Sequence, residues 1–363
     1  MASRVLRFNR TLMAVSLSLV ILGLVMIYSS SAVLALTRKG SPNYFFIRQL
    51  IWVVIGLGVM LVMMKIPYEF WKRRKIVLGL FGLQILLLLT VLTMPAINGS
   101  HRWIRVGPIT LQPSEAAKFV LILLTAYLLE KRLRERREWR QVLVAVAAFT
   151  GATAVLILLQ PDLGTVVVIG LVVLVMLFNA GMPLKWFAGA LILGTLVLGM
   201  LLMTSSYRRA RLMTFMHPGA DPQGAGFQAR QSLIAVGSGG LAGKWFSGGS
   251  QKLLFLPEPH TDFIYAMIGE ELGLGGTLGV LSLLLVFGAM GCRIVRRVKD
   301  PFAAYAALGI VSWIVVQALL HILVTLTLLP TKGLPFPLVS YGGSSLVAAL
   351  AGVGLLLNIS QYE

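Results

Sequence analysis

The stretch LMAVSLSLVILGLVMIYSSSAVLAL, residues 12–36, decides the fold class of this sequence. It runs for 25 residues without a charged side chain, and a helix of about 20 apolar residues is long enough to cross the hydrocarbon core of a bilayer. Arg4, Arg7 and Arg10 precede it, as they would in a signal peptide. The apolar core of a signal peptide is shorter, so we expect a spanning helix that stays in the mature protein.

The rest of the chain repeats this pattern of apolar runs separated by charged or glycine- and proline-containing stretches. Of its 363 residues, 57% are hydrophobic and 12% are charged, whereas a soluble domain carries about 25% charged residues. We therefore predict an all-α integral membrane protein, one domain over residues 1–363, with a large outer loop at about 204–262. The ten predicted transmembrane helices are 12–36, 46–64, 76–94, 115–130, 142–159, 165–180, 186–203, 263–292, 303–329 and 340–359.

The net charge of +19 would suggest nucleic acid as the partner of a soluble protein. Here the lysines and arginines lie between apolar runs, which indicates membrane topology and predicts no nucleic-acid partner. With the amino terminus inside, inner segments hold 19 of these residues and outer segments 12, so we expect both termini in the cytoplasm. Cys292 is the single cysteine, which excludes an intrachain disulfide and a cysteine metal cluster.

In this orientation the unusual polar residues fall on the outer side, and the inner loops are merely basic. The 204–262 segment is too long for a turn, and nine glycines lie in 217–250; its apolar residues predict short elements packed on the bundle. Polar groups at membrane depth need protein or a watery cavity around them. The working face is therefore predicted to be the outer one.

Asp262 precedes the apolar run that begins at Phe263, at the outer mouth of the eighth predicted helix. It is either an ordinary helix cap or a carboxylate in an apolar setting that raises its pKa and makes it a general base. Asp162 lies in the short outer turn QPDLG from Gln160. It is either an ordinary turn residue, since Asp and Gly often form turns, or a functional carboxylate.

Glu115 and Lys118 are three residues apart at the start of the fourth helix and share one of its faces. They are either a simple ion pair or part of a substrate pathway, since ionisable groups in spanning helices by default mark such pathways. Lys118 suits an anionic phosphate headgroup. In the outer segments Glu258 is a solvated charge or a ligand for a sugar hydroxyl or a cation.

The arginines of the long outer segment are either a solvated cluster or the cations that a pyrophosphate-bearing lipid needs; they are Arg208, Arg209, Arg211 and Arg230. The run GSGGLAGKW from Gly237 is similar to a phosphate loop. It has one residue too many between its glycines, and Trp245 stands where Ser or Thr is needed. We reject that interpretation.

Five motifs carry a resemblance that covers nearly the whole chain in order. They are GSHRWI from Gly99, QPSEAAK from Gln112, QPDLGT from Gln160, QKLLFLPEPHTDFI from Gln251 and PFPLVSYGGSS from Pro335. Together they closely resemble the SEDS family. Gln251-Lys252, Gly269–Gly273 and Leu329–Leu334 look more like its cell-division members than its elongation members.

The resemblance implies a ten-helix peptidoglycan glycosyltransferase at the division septum of the bacterial cytoplasmic membrane. It implies lipid II (the undecaprenyl-pyrophosphate-linked disaccharide peptide) as substrate, and as partners a class B penicillin-binding protein and activator proteins of the division machinery. A divalent cation, Mg²⁺ or Mn²⁺, is also implied, with Asp262 and Glu115 as candidate ligands. The resemblance further implies that Asp262 is the catalytic carboxylate. The predicted substrate-binding residues are Glu115, Lys118, Asp162, Arg102, Arg208, Arg209, Glu258, His260, Lys332 and Ser344.

The chain departs from the family pattern at two positions, and three alternative functions stay open. The chain has His321 where the family pattern in the ninth helix leads us to expect Asn, and Pro259 stands where members vary. A lipid II flippase, an elongation-type glycosyltransferase and a noncatalytic scaffold are the alternatives. A flippase should have ionisable residues near the midplane and use both faces, whereas these motifs gather outside.

Overall fold

The computed structural model describes residues 9–95, 100–107, 109–216, 225–245, 258–330 and 333–363. Helices account for most of them, with one small antiparallel hairpin, β1 (Ile104–Val106) and β2 (Ile109–Leu111), before α5. The helices are α1 (Arg10–Lys39), α2 (Tyr44–Lys65), α3 (Tyr68–Trp71), α4 (Arg74–Leu92), α5 (Pro113–Glu135), α6 (Trp139–Leu159), α7 (Leu163–Asn179), α8 (Leu184–Thr204), α9 (Ser206–Met216), α10 (Ala225–Ser238), α11 (Ile264–Arg297), α12 (Pro301–Thr325) and α13 (Gly343–Ile359).

Each of the ten predicted spans lies on one of these helices, which confirms the all-α membrane fold. Eight helices among the described residues are long and apolar enough to cross a bilayer. The two others are α7, which is apolar but has 17 residues, and α5, which carries Glu115, Lys118 and Glu130 on its buried surface. The start of α1 and the end of α13 meet, because Asn9 N donates a hydrogen bond to Ser360 Oγ at 3.0 Å.

Two predicted spans extend furthest beyond the helices that the structure has. Helix α12 ends at Thr325 rather than near 329, where Thr327 takes a positive φ of 54° and Leu328 N donates back to Leu323 O. The last span begins at Gly343 rather than 340, because residues 333–342 follow an irregular path. Local hydropathy does not reveal either end, since both flanks are apolar.

Helix α11 is broken at Gly273, where φ is 64° and ψ is −159°. Leu274 N donates to Gly240 O, and Lys244 N donates to Glu270 O. The glycine-rich run that resembled a phosphate loop therefore satisfies backbone groups at this break. A Cβ at Gly243 would collide with the carbonyl of Glu271, so only glycine permits this approach.

The long outer segment contains α9 and α10, which confirms the prediction of short elements packed on the bundle. Helix α10 lies against α11, and Ser232 Oγ donates to Thr325 O at 2.7 Å. The loop therefore meets the bundle at the outer ends of α11 and α12.

Residues 333–342, which we call the inserted segment, descend between the helices. The carbonyl of Pro335 accepts a hydrogen bond from Gln317 Nε2 at 2.8 Å, two turns below the end of α12. On the opposite side the backbone of Val339 lies against Gly23 in the middle of α1. This irregular backbone is buried in protein, as it must be at membrane depth.

Gly23→Ala should destabilise the protein by about 1–3 kcal/mol, because overpacking of a tight contact forces the backbone to move. A Cβ at Gly23 would lie 2.5 Å from Val339 O and 2.8 Å from Val339 Cα, and neither atom can rotate away. The measurement is thermal unfolding in one detergent. Gly58→Ala in α2 is the matched control: nothing lies within 4 Å of its added Cβ, and alanine favours a helix. Equal melting temperatures for the two variants would contradict this account.

Candidate active site

Asp262 lies in the loop 258–263, directly before α11. The N-cap of α11 is Phe263, and no side chain makes a capping hydrogen bond there. The capping role is therefore not what holds Asp262 in place. Its carboxylate lies against the backbone of Gly333, where an added Cβ would be 3.2 Å from Asp262 Oδ2. Gly333 begins the inserted segment, so the carboxylate sits where the loop and this segment meet.

The surroundings raise the pKa of Asp262 to about 6. Burial is the main cause, and the charge of Glu258 adds to it; Arg211 and Arg102 favour the ionised form, as does a hydrogen bond with Thr261. A carboxylate with this pKa is mostly ionised at pH 7 and still basic enough to accept a proton. The site therefore contains a usable general base.

Arg102 fixes the turn between α6 and α7. Its Nε donates to Gln160 O at 2.9 Å and a terminal nitrogen donates to Pro161 O at 2.6 Å. Asp162, the next residue, caps α7: Oδ1 accepts from Thr165 N at 3.1 Å and Oδ2 from Thr165 Oγ1 at 2.8 Å. Of the two interpretations of Asp162, these contacts favour the structural one.

Glu115 and Lys118 form a buried pair in α5, each with 2% of its side chain exposed. Lys118 Nζ lies 2.9 Å from both carboxylate oxygens and 2.7 Å from Gln317 Oε1. It also lies 5.2 Å from the ring centre of Trp313. Because an ammonium group has three donors, these contacts use all of them.

The inserted segment connects this pair to Asp262. Gly333 lies beside Asp262, the carbonyl of Leu334 lies 2.8 Å from His321 Nδ1, and the carbonyl of Pro335 accepts a hydrogen bond from Gln317. His321, where an Asn was expected, thus holds the segment against α12. The side chains of Asp262, His321 and Gln317, which are far apart in the sequence, therefore lie along one short stretch of backbone.

Glu258 bridges two residues on the outer rim. Its Oε1 lies 2.9 Å from a terminal nitrogen of Arg38, at the end of α1, and its Oε2 lies 3.7 Å from His260 Nε2. Glu258 has a positive φ of 49°. Its side chain is 47% exposed, whereas that of His260 is 1% exposed.

The other predicted site residues have different positions. Ser344 Oγ accepts from Gln112 N at 2.9 Å and donates to Thr110 O, which joins the β-hairpin to α13. Arg208 is half-buried and donates to Leu201 O at 3.1 Å, and Arg209 is exposed on α9. Lys332 lies outside the described residues. Substrate binding by these residues stays a prediction.

Three residues of the site were not predicted from the sequence. Gly333 follows Lys332 in the stretch Leu329–Leu334, Trp313 lies one turn before Gln317 on α12, and Arg38 lies in the last turn of an apolar helix. Only the spacing of Trp313 and Gln317 on one helix face offered a signal. The contacts of Arg38 and Gly333 depend on the tertiary fold.

The two candidate metal ligands differ in their surroundings. Both oxygens of Glu115 are taken by Lys118, which leaves Asp262 as the better ligand. In the described part of the chain, no three His, Cys, Asp or Glu side chains group into a metal site. Mg²⁺ is often held by one or two carboxylates, with substrate phosphates and water as further ligands, and Asp262 fits that kind of site.

Known proteins are similar to this chain over nearly its whole length. Two relatives are named probable peptidoglycan glycosyltransferase FtsW. The one from Geobacter metallireducens is 38% identical over 98% of this chain and 95% of its own length. The one from Idiomarina loihiensis is 42% identical over 98% of this chain and 87% of its own length.

Two solved structures are similar to this chain in both fold and sequence. A chain from a structural study of how a peptidoglycan synthase complex coordinates polymerization and crosslinking is 30% identical, with a TM-score of 0.80 and 99% of each chain covered. The rod shape determining protein RodA of Thermus thermophilus is 27% identical, with a TM-score of 0.73 and the same coverage. Residues 9–363 match the family model for the cell cycle proteins FtsW, RodA and SpoVE. The chain therefore belongs to this family of multi-pass membrane proteins.

Proposed function

We propose that this protein is a peptidoglycan glycosyltransferase that polymerises lipid II on the outer face of the bacterial cytoplasmic membrane. The observation that carries the proposal is Asp262, a carboxylate with a raised pKa that caps no helix and is held where two irregular segments meet. The names of the FtsW relatives support the reaction. They also support a role in septal wall synthesis during cell division.

In the proposed reaction Asp262 removes the proton from the 4-hydroxyl of the acceptor sugar. That oxygen attacks the anomeric carbon of the donor, the bond from this carbon to the lipid diphosphate breaks, and the diphosphate leaves with the electron pair. The configuration inverts in this single displacement. Arg102 and Arg211 lie near enough to affect the charge of Asp262, and such cations also stabilise charge that grows on the leaving diphosphate.

A divalent cation, Mg²⁺ or Mn²⁺, is part of the proposal. Asp262 would hold it together with the substrate, and when bound it neutralises charge on the diphosphate. We also propose a class B penicillin-binding protein as the transpeptidase partner, with activator proteins of the division machinery. The likeness to a chain of a peptidoglycan synthase complex supports this partner. The meeting of Asn9 and Ser360 supports termini on one side, which we take to be the cytoplasm.

The test supplies purified protein with lipid II and Mn²⁺ or Mg²⁺, alone and with the penicillin-binding protein made free of glycosyltransferase activity. Glycan polymer is the expected product. Absence of polymer in both arms, together with lipid II translocation by the protein in vesicles, would reject the transferase and favour the flippase.

The rate of polymerisation should fall as pH drops below about 6. Only the ionised form of Asp262 accepts a proton. With a pKa of about 6 the ionised fraction at pH 5 is about one tenth, and a cation held by Asp262 would shift this fall in rate to lower pH. In Glu258→Gln the acid limb should move to lower pH, because the Glu258 charge raises the pKa of Asp262. Initial rates from pH 5 to 8 measure both effects. If the rate falls at the same pH in both proteins, a group other than Asp262 controls the pH dependence.

A further inference from the structure

His260, in the loop that carries Asp262, packs against two aromatic rings from other elements. The His260 ring lies 4.5 Å from the ring of Phe45, at the start of α2, and 5.2 Å from the ring of Tyr341, at the end of the inserted segment. Phe45 and Tyr341 also touch each other, with ring centres 5.4 Å apart in an edge-to-face arrangement. Such pairs stabilise contacts beyond the area that they bury. His260 thus ties the loop to two other elements.

Hydrogen bonds to the carbonyl groups of the loop continue this tie towards Asp262. Tyr341 N donates to His260 O at 3.0 Å, and the Ser340 side chain donates through Oγ to Thr261 O at 2.7 Å. Both residues before Asp262 are therefore held by the inserted segment, whose first residue, Gly333, lies beside the carboxylate itself. A shift of the His260 ring would move the residue that is two positions further along the chain.

The nitrogens of His260 have little contact with other polar groups. Nε2 is 3.7 Å from Glu258 Oε2, beyond hydrogen-bond distance, and buried Nδ1 has no partner among the described residues. Burial lowers the pKa of the ring to about 4, so it is neutral at pH 7. The side chain is 1% exposed, which leaves a substrate no direct access to it.

We propose that His260 is a positioning residue whose ring, packed against both Phe45 and Tyr341, sets where the Asp262 carboxylate stands. This inference rests on the proposed function and refines it, because it assigns the ring a role through its shape and packing rather than through its nitrogens. A substitution that keeps an aromatic ring should therefore keep activity. One that removes the ring should not.

The test compares His260→Phe with His260→Ala in the polymerisation assay. In His260→Phe, kcat should stay within about threefold of the unchanged protein, because the ring contacts remain. In His260→Ala, kcat should fall by about 10² with KM changed little, since a displacement of about 1 Å can lower a rate that much. Phe45→Leu removes one of the two rings that contact His260. It should lower kcat in the same way, and this test does not depend on whether His260→Ala folds.

Two outcomes of this assay would overturn the inference. One is His260→Phe with the melting temperature of the unchanged protein and the low kcat of His260→Ala, which would assign the role to the ring nitrogens. The other is an unchanged kcat in Phe45→Leu or in a folded His260→Ala.

An infrared titration of the Asp262 carboxyl, assigned with Asp262→Asn, needs no substrate. Its midpoint should be the same in the unchanged protein and in His260→Phe, and lower in Phe45→Leu as water reaches the carboxylate; equal midpoints in all three would reject the inference. An unchanged protein that makes no polymer would count against the proposed function, and the titration would still decide the role of His260.

Discussion

Asp262→Asn should lower polymerisation by about 10²–10⁴, the usual contribution of a general base. The amide has the shape of the carboxylate and cannot accept the proton of the acceptor hydroxyl. The melting temperature should stay the same or rise, because the substitution removes a charge whose burial is unfavourable, as the raised pKa of Asp262 indicates. Initial rates with lipid II and thermal unfolding in one detergent are the measurements.

Asp300→Asn is the matched control for this substitution. Asp300 caps α12 through Ala303 N and pairs with Lys72 at 2.7 Å, on the inner side of the bundle. Asn is also a good N-cap, and the pair with Lys72 is partly exposed and weak. Its activity should be close to normal. Polymerisation by Asp262→Asn at the rate of the control would reject Asp262 as the base.

The contrast between Asp162 and Asp262 shows how far the sequence could predict this site. Both follow short polar stretches and precede apolar helices, so both patterns are typical of a cap and of a boundary carboxylate. Asp162 bonds to Thr165, and Asp262 has Gly333 beside it. The difference depends on where each helix begins and on a residue 71 positions away along the chain from Asp262.

Eight of the ten predicted spans could be predicted because each is long and apolar enough to cross a bilayer. The inserted segment was not, since its polar contacts come from residues far apart in sequence, such as Gln317 with Lys118. An i, i+3 spacing predicted that Glu115 and Lys118 meet. Nothing local predicted that Gln317 on α12 would be the third member of that group.

Breaking the buried pair of Glu115 and Lys118 should destabilise the protein strongly. In Glu115→Leu the Lys118 ammonium stays buried without its carboxylate, and in Lys118→Met the Glu115 carboxylate stays buried without its cation. Such an uncompensated buried charge typically lowers the free energy of unfolding by about 3–5 kcal/mol. Both side chains are 2% exposed, so water cannot replace the lost partner. Thermal unfolding of the two variants should show large decreases in melting temperature. Values near that of the unchanged protein would mean that the site rearranges or that water enters.

The double variant Glu115→Leu/Lys118→Met should regain most of this stability, because an apolar pair of similar volume leaves no buried charge. Gln317 Oε1 keeps its hydrogen bond from Trp313 Nε1 at 2.8 Å, and Nε2 keeps Pro335 O, so the inserted segment should stay in place. Polymerisation by this variant then separates the two interpretations of Lys118. Recovered activity would make the pair structural, as its three filled donors favour. Continued loss in a stable protein would mean that Lys118 leaves Glu115 to bind the diphosphate of the substrate.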